Sequence, residues 1–289
     1  MIVGGKKGAV IQNIKSAAGE GDWNRKVEPG DAVLEPEQRK AVVYEFLKRR
    51  NTFSYRACNG CARLIRDSVG WTQNLDTQIA GMENLSGVEG GAIITSNHFN
   101  PLDSTIIRKM VKKTGRNRLY TVSQDVNFAA PGLVGFLLYY ADTLPVTSDA
   151  NYMEEEFQPL LQSLLDRKQW VLIYPEQEMW FNYRKPRPPK RGAYYYAAKC
   201  QVPVVSCFVE MREKKRRDND EFYQVQYILH VLPPIYPEPG KSVRENSARM
   251  MNADYEQKKQ IYESVYQKEL DSGFSLEDIA GWIPKREDS

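Results

Sequence analysis

His98 and Asp103 are the two residues of this chain best suited to do chemistry together. They lie in one short stretch, Thr95-Ser96-Asn97-His98-Phe99-Asn100-Pro101-Leu102-Asp103-Ser104. The sequence has only 2 histidines, so one placed in such a turn stands out. A neutral imidazole can take a proton from a hydroxyl at neutral pH. A carboxylate on the other ring nitrogen fixes the tautomer and stabilises the imidazolium that forms. A continuous helix would point two side chains at this offset apart, and the Asn100-Pro101 turn removes that objection. Spacing alone favours a second reading, with Asp103 as a first-turn cap and His98 as a hydrogen-bonded turn residue.

The neighbouring elements decide where such a pair would sit. Ala92-Ile93-Ile94 reads as a buried strand. Leu102, Ile106, Ile107, Met110 and Val111 fall on one face of a helix. Asn100 is the expected N-cap, Pro101 the first helical residue, and Asp103 a first-turn carboxylate. Gly115 after Lys112 and Lys113 ends the helix. The pair is thus expected at a strand-to-helix turn, at the carboxyl edge of a sheet, where α/β folds gather their sites. Trp170 to Tyr174 reads as another central strand, and Glu176 at its end falls on the same edge. Arg184, Lys185, Arg187, Lys190 and Arg191 follow within eight residues, interrupted by prolines and without an acid. Prolines stiffen a loop, so these charges are expected to point outward and bind an anion, or else to be a solvated loop.

Strands and helices alternate through most of the chain. Strands are expected over 118–123, 144–146, 202–209 and 222–231, and helices over 131–140, 154–167, 192–200 and 248–270. The 154–167 helix turns Phe157, Leu160, Leu161, Leu164 and Leu165 inward. The 131–140 helix crowds Leu133, Val134, Phe136, Leu137 and Leu138 together, which suits a buried core helix or an acyl- or bilayer-facing surface. The charged run 212–221 reads as an exposed connection, His230 as an ordinary strand residue, and Ser275 as a cap. The fold class expected is α/β, a single domain with a mixed, largely parallel sheet flanked by helices, plus an N-terminal helical pair. Residues 1–35 are expected to be a loosely ordered arm that Trp23 anchors. Residues 36–72 form the helical pair, and residues 73–289 the main domain with its C-terminal helix.

Composition narrows the function classes. Hydrophobic content of 42% and charge of 27% suit an ordinary globular protein. A net charge of +3 gives no basic tail for nucleic acid. Cys58 and Cys61 lack a second ligand pair nearby, so zinc is not expected, and nothing suggests a disulfide scaffold. Met1 to Trp23 has no apolar core of a signal peptide. The longest uncharged run, 126–141, falls short of the about 20 apolar residues a span needs. A cytoplasmic protein is expected, touching a membrane only from its inner face. Basic residues of the 36–72 pair beside Phe53, Tyr55 and Trp71 suit an anionic surface.

Four blocks in order, the first with its lead-in, resemble the glycerolipid acyltransferase family of the 1-acylglycerol-3-phosphate acyltransferase type. Asn97-His98 with Asp103 resembles its H-x4-D motif. Gly81-Met82-Glu83-Asn84-Leu85 resembles its G-x-E-N-L approach, and Tyr174-Pro175-Glu176 its F-P-E-G-T-R block. Lys190-Arg191-Gly192-Ala193 and Val202-Pro203-Val204-Val205 resemble the later segments. The likeness implies transfer of a fatty acyl group from a thioester, acyl-CoA or acyl-carrier protein, to a hydroxyl of a lysophospholipid or related lipid. It implies His98 and Asp103 as the catalytic pair, and amides at the helix N-terminus as oxyanion donors. Asn97, Glu176, Arg184, Lys190 and Arg191 would bind substrate, with no metal and no cofactor beyond the donor. Three places depart from the family: Gln177 with Glu178 and Met179 in place of Gly-Thr-Arg, Thr147 in place of Arg, and Ser206 in place of a proline. The first two remove groups that would help to hold a glycerol phosphate. A non-catalytic lipid- or membrane-binding member, or a thioester hydrolase, is the alternative.

Overall fold

The apolar run ahead of His98 is the middle of the sheet. The structure, a computed structural model, describes residues 6–30 and 34–284. In chain order come α1 (Gly8–Gly19), α2 (Pro36–Arg49), α3 (Phe53–Gln73), β1 (Gln78–Ala80) and β2 (Ala92–Thr95). Then follow α4 (Ser104–Lys113), β3 (Tyr120–Gln124), α5 (Gly132–Tyr140) and β4 (Thr143–Val146). The short α6 (Ala150–Tyr152) passes through a π turn (Met153–Phe157) into α7 (Gln158–Asp166). The remaining elements are β5 (Trp170–Leu172), α8 (Gly192–Lys199), β6 (Val204–Arg217), β7 (Tyr223–Val231) and α9 (Val243–Tyr266).

The described residues form a seven-stranded sheet in the order β1-β7-β6-β2-β5-β3-β4. Neighbours run parallel except β6 and β7. All of β2 is buried, as an interior parallel strand covered on both faces requires. Ile94 packs with Ile106, Ile107 and Met110 of α4 on one face. Ile93 packs with Leu161 and Leu164 of α7 and Ala197 of α8 on the other. The expected mixed, largely parallel sheet flanked by helices is therefore present. The approach to β2 is set by Gly81 at φ 79, where a Cβ would lie 2.1 Å from the Val231 carbonyl oxygen. Asn84 donates to the same carbonyl at 2.8 Å, so the glycine and asparagine of that block both serve a close crossing over β7.

Four expectations are corrected. The arm over 1–35 is not loosely ordered where it is described. α1 buries Val10, Ile11, Ile14, Ala17 and Ala18 against Trp180, Phe181, Tyr183, Phe222 and Ile279. Two alanines carry part of that face, which hid its helical period. Strand β6 does not stop near Val209 but runs through the charged stretch, pairing Arg212 with Gln226 and Glu213 with Val225. A ribbon that projects beyond the helices needs no apolar face, so polarity does not end it. Helix α5 is not a core helix: it packs on α3 and leaves Leu133 61% and Val134 63% exposed. Within the basic helical pair, Arg63 and Arg66 turn inward to Asp142. The other side of α3 exposes Phe53, Leu64 and Trp71, with Leu75 just beyond its end. Cys58 and Cys61 are free thiols on this helix. Among the described residues, no helix is long and apolar enough to cross a membrane.

Candidate active site

The turn after β2 forms as its polar residues dictate, with one change. Asp103, not Asn100, is the N-cap of α4. Asn100 caps an earlier turn instead: its Oδ1 accepts the N–H of Leu102 at 3.0 Å and its carbonyl that of Asp103 at 3.0 Å. That extra turn swings Asp103 back toward the strand end. Its Oδ2 lies 2.8 Å from His98 Nδ1 and accepts the backbone N–H groups of Phe99 at 3.0 Å and Asn100 at 3.2 Å. Its Oδ1 accepts the Tyr174 hydroxyl at 2.5 Å. With both oxygens engaged as acceptors, the proton of the shared bond belongs on Nδ1, leaving Nε2 for a substrate. The Asp103 side chain is 3% exposed and that of His98 21%, so a buried acid holds an accessible base. The Tyr174 ring lies flat against the imidazole, centroids 3.9 Å apart and planes 14° from parallel.

Glu176 reaches the same edge and is buried. Its Oε2 accepts the backbone N–H of His98 at 3.3 Å, and its two oxygens accept the backbone N–H and the Nε of Arg187, each at 3.0 Å. It braces the histidine turn. The next residue, Gln177, has φ 66. Where the resembling family carries glycine, this chain holds a glycine-like backbone with a side chain that tolerates it less well.

The basic loop is corrected. Its prolines do not hold all its charges outward, because acids from distant segments reach in. Arg187 is buried on Glu176, and its guanidinium lies 4.6 Å from the Trp180 ring and donates to the Trp23 carbonyl. Lys185 is buried between Asp271 and Asp278. Arg184 pairs with Glu213 at 2.6 Å and the Glu277 carbonyl at 2.7 Å. Arg191 donates to Ser247 and to the Arg244 carbonyl. Lys190 is exposed, and its own N–H donates to the Pro175 carbonyl at 2.7 Å, which keeps it beside Glu176.

Asn97 does not face a substrate: its amide clamps the backbone N–H and C=O of Val209 at 2.8 and 3.1 Å. The expected oxyanion donors are also spent. The N–H groups of His98, Phe99, Asn100, Leu102 and Asp103 all serve Glu176, Asp103 or Asn100. The reading of the sequence assigned no role to Tyr174, whose signal was a hydroxyl where the family block has Phe. The arm is anchored, as expected, through Trp23, which packs near Trp180, but its contact with the Glu176 segment has no signal in the sequence. Asn24 donates to the Glu176 carbonyl at 3.1 Å, and Trp180 Nε1 to the Arg25 carbonyl at 2.9 Å. A narrow crevice lined by Asn74, Phe99, Leu102, Ile106 and Tyr227 runs from Asp103 toward the end of α3.

Residues 76–210 match the model of the family described as Acyltransferase. The fold is similar to that of a crystal structure of the 1-acyl-sn-glycerophosphate (LPA) acyltransferase PlsC from Thermotoga maritima. The identity is 16% over 80% of this chain and 90% of that one, with a TM-score of 0.50. At that identity the likeness speaks for the fold. No curated protein matches the sequence.

Proposed function

We propose that the protein moves a fatty acyl group from acyl-CoA or acyl-carrier protein to a hydroxyl of a lysophospholipid or related lipid, a reading that the match of residues 76–210 to the Acyltransferase family model supports. The observation that carries this reading is the 2.8 Å contact between an accessible His98 and a buried, fully engaged Asp103. His98 Nε2 removes the acceptor's proton as its oxygen attacks the thioester carbonyl. Asp103 stabilises the imidazolium. The tetrahedral intermediate collapses with loss of the thiolate, which takes the proton back from Nε2. An ester and a free thiol result, and no acyl-enzyme forms.

Lys190, with Arg191 and Arg184 further along the loop, supplies positive charge for a phosphate of the acceptor or of coenzyme A, or for an acidic carrier protein. Glu176 acts on the acceptor only through the turn it braces. The exposed Phe53, Leu64, Trp71 and Leu75, with Leu133 and Val134 of α5, suit peripheral contact with the inner face of a membrane. Basic Lys48, Arg49 and Arg56 nearby favour an anionic surface.

Thiol release from acyl thioesters tests this across lysophospholipid, glycolipid and amino-alcohol acceptors. Wild type is expected to release thiol only with an acceptor, and His98→Ala to lose at least about a hundredfold of that rate. Release that survives His98→Ala sinks the mechanism. Release that needs no acceptor and yields no acylated lipid replaces the transferase with a hydrolase.

A further inference from the structure

Two contacts bind Tyr174 to the catalytic pair from different directions. Its ring lies against the His98 ring at 3.9 Å and 14°. Its hydroxyl donates to Asp103 Oδ1 at 2.5 Å, the oxygen that His98 does not use. A phenylalanine would give the first contact alone. We propose that Tyr174 is a positioning residue for His98: its ring sets the plane of the imidazole, and its hydroxyl shares the Asp103 carboxylate, tuning how strongly that carboxylate holds the imidazolium. This rests on the reading of His98 as the base.

The chemistry follows from what each donor does to a carboxylate. Asp103 takes three donors on Oδ2 and the phenol on Oδ1. Each donor spreads the negative charge and weakens the pull on the others. The phenol stays a donor, because burial first and the facing Asp103 second push Tyr174 well above the ordinary tyrosine range. Tyr227, which also faces Asp103, is raised by burial. Cys207, near Tyr174, is pushed up to about 12 by burial. Glu176 touches His98 only at its backbone N–H and is paired to Arg187. Removing the phenol therefore returns charge to the oxygen facing His98 and makes the imidazole hold its proton more tightly.

The chain has 2 histidines, so NMR of histidine-labelled full-length protein reads both. His98→Gln assigns the two signals. The His230 signal reports its bond to Glu210 at 2.7 Å and serves as an internal check on folding. In Tyr174→Phe the ring stack stays and the hydroxyl goes. The midpoint of His98 titration is expected to rise by about half a pH unit, a threefold gain in proton affinity, with His230 unmoved. The acid limb of thiol release moves the same way. Tyr174→3-fluorotyrosine, a stronger donor of nearly the same shape, is expected to move the midpoint down. A structural role alone would not give shifts of opposite sign. If neither variant moves the His98 midpoint, the proposal is overturned. If the midpoints move but thiol release survives His98→Ala, the general-base reading fails and the coupling of Tyr174 to His98 stands.

Discussion

Glu176 and Arg187 show how much one buried ion pair carries here. Both side chains are almost wholly enclosed, at 4% and 1% exposure, and Glu176 also receives the His98 N–H. Removing one partner of such a pair leaves a buried charge uncompensated. Glu176→Gln is expected to cost about 3 kcal/mol or more in a urea melt. Replacing both residues by Met is expected to recover most of that loss, because the second charge also disappears, yet thiol release should stay low. A double variant as active as wild type would show that the pair does not brace the turn. At this scale the sequence was partly legible. His98, Asp103 and Glu176 stood out because few side chains do their chemistry. Arg187 and Lys185 looked like Arg184, Lys190 and Arg191, because the acids that separate them lie elsewhere in the chain. Glu176 is 11 positions away from Arg187, and Asp271 is 86 from Lys185.

Helix α4 aims Asp103, and α3 holds α4 in place. Arg108 donates to both oxygens of Asp67, at 2.6 and 3.0 Å, and Lys112 adds a contact at 2.9 Å. Burial would raise the Asp67 carboxyl, but the bonds from Arg108 and Lys112 outweigh it and hold the group well below the usual carboxylate range. A depressed carboxyl stabilises fully above its unfolded value of about 4 and loses that contribution as pH falls through the folded value. Asp67→Asn is therefore expected to lower stability by about 1–3 kcal/mol at pH 7. Urea midpoints at falling pH should show the gap to wild type narrowing, and a gap that widens in acid would contradict the assignment. The elements themselves are legible wherever apolar spacing is dense: β2, the inward faces of α4 and α7 and the end of α4 fall where the pattern puts them, while α4 begins three residues late. The errors came where packing, not period, decides. α1 was hidden because small residues make up much of its contact, and α5 looked buried because crowding of apolar residues does not say what covers them.

At the scale of the whole molecule, the proposed membrane contact rests on the apolar residues exposed along α3 and at the start of α5. Leu64→Glu and Trp71→Glu together are expected to reduce binding to anionic vesicles by about tenfold. Because both positions are more than two-thirds exposed, at 71% each, thermal stability should hardly change. Vesicle binding that is unaffected by the pair would place the lipid elsewhere. The loop that braces the active site has a different relation to the whole. Asn24 meets the Glu176 carbonyl across 152 positions, and Asn182 meets Ala280 across 98. Asp103 meets His98 across five. Long closures cost chain entropy before any contact rewards them, whereas short ones form at once. The histidine and its acid thus find each other early in folding, on a turn that nothing yet supports. Their brace arrives only when segments from both halves of the chain have converged. The geometry of the turn is therefore expected to sharpen late in folding and to loosen early in unfolding, once its distant supports part.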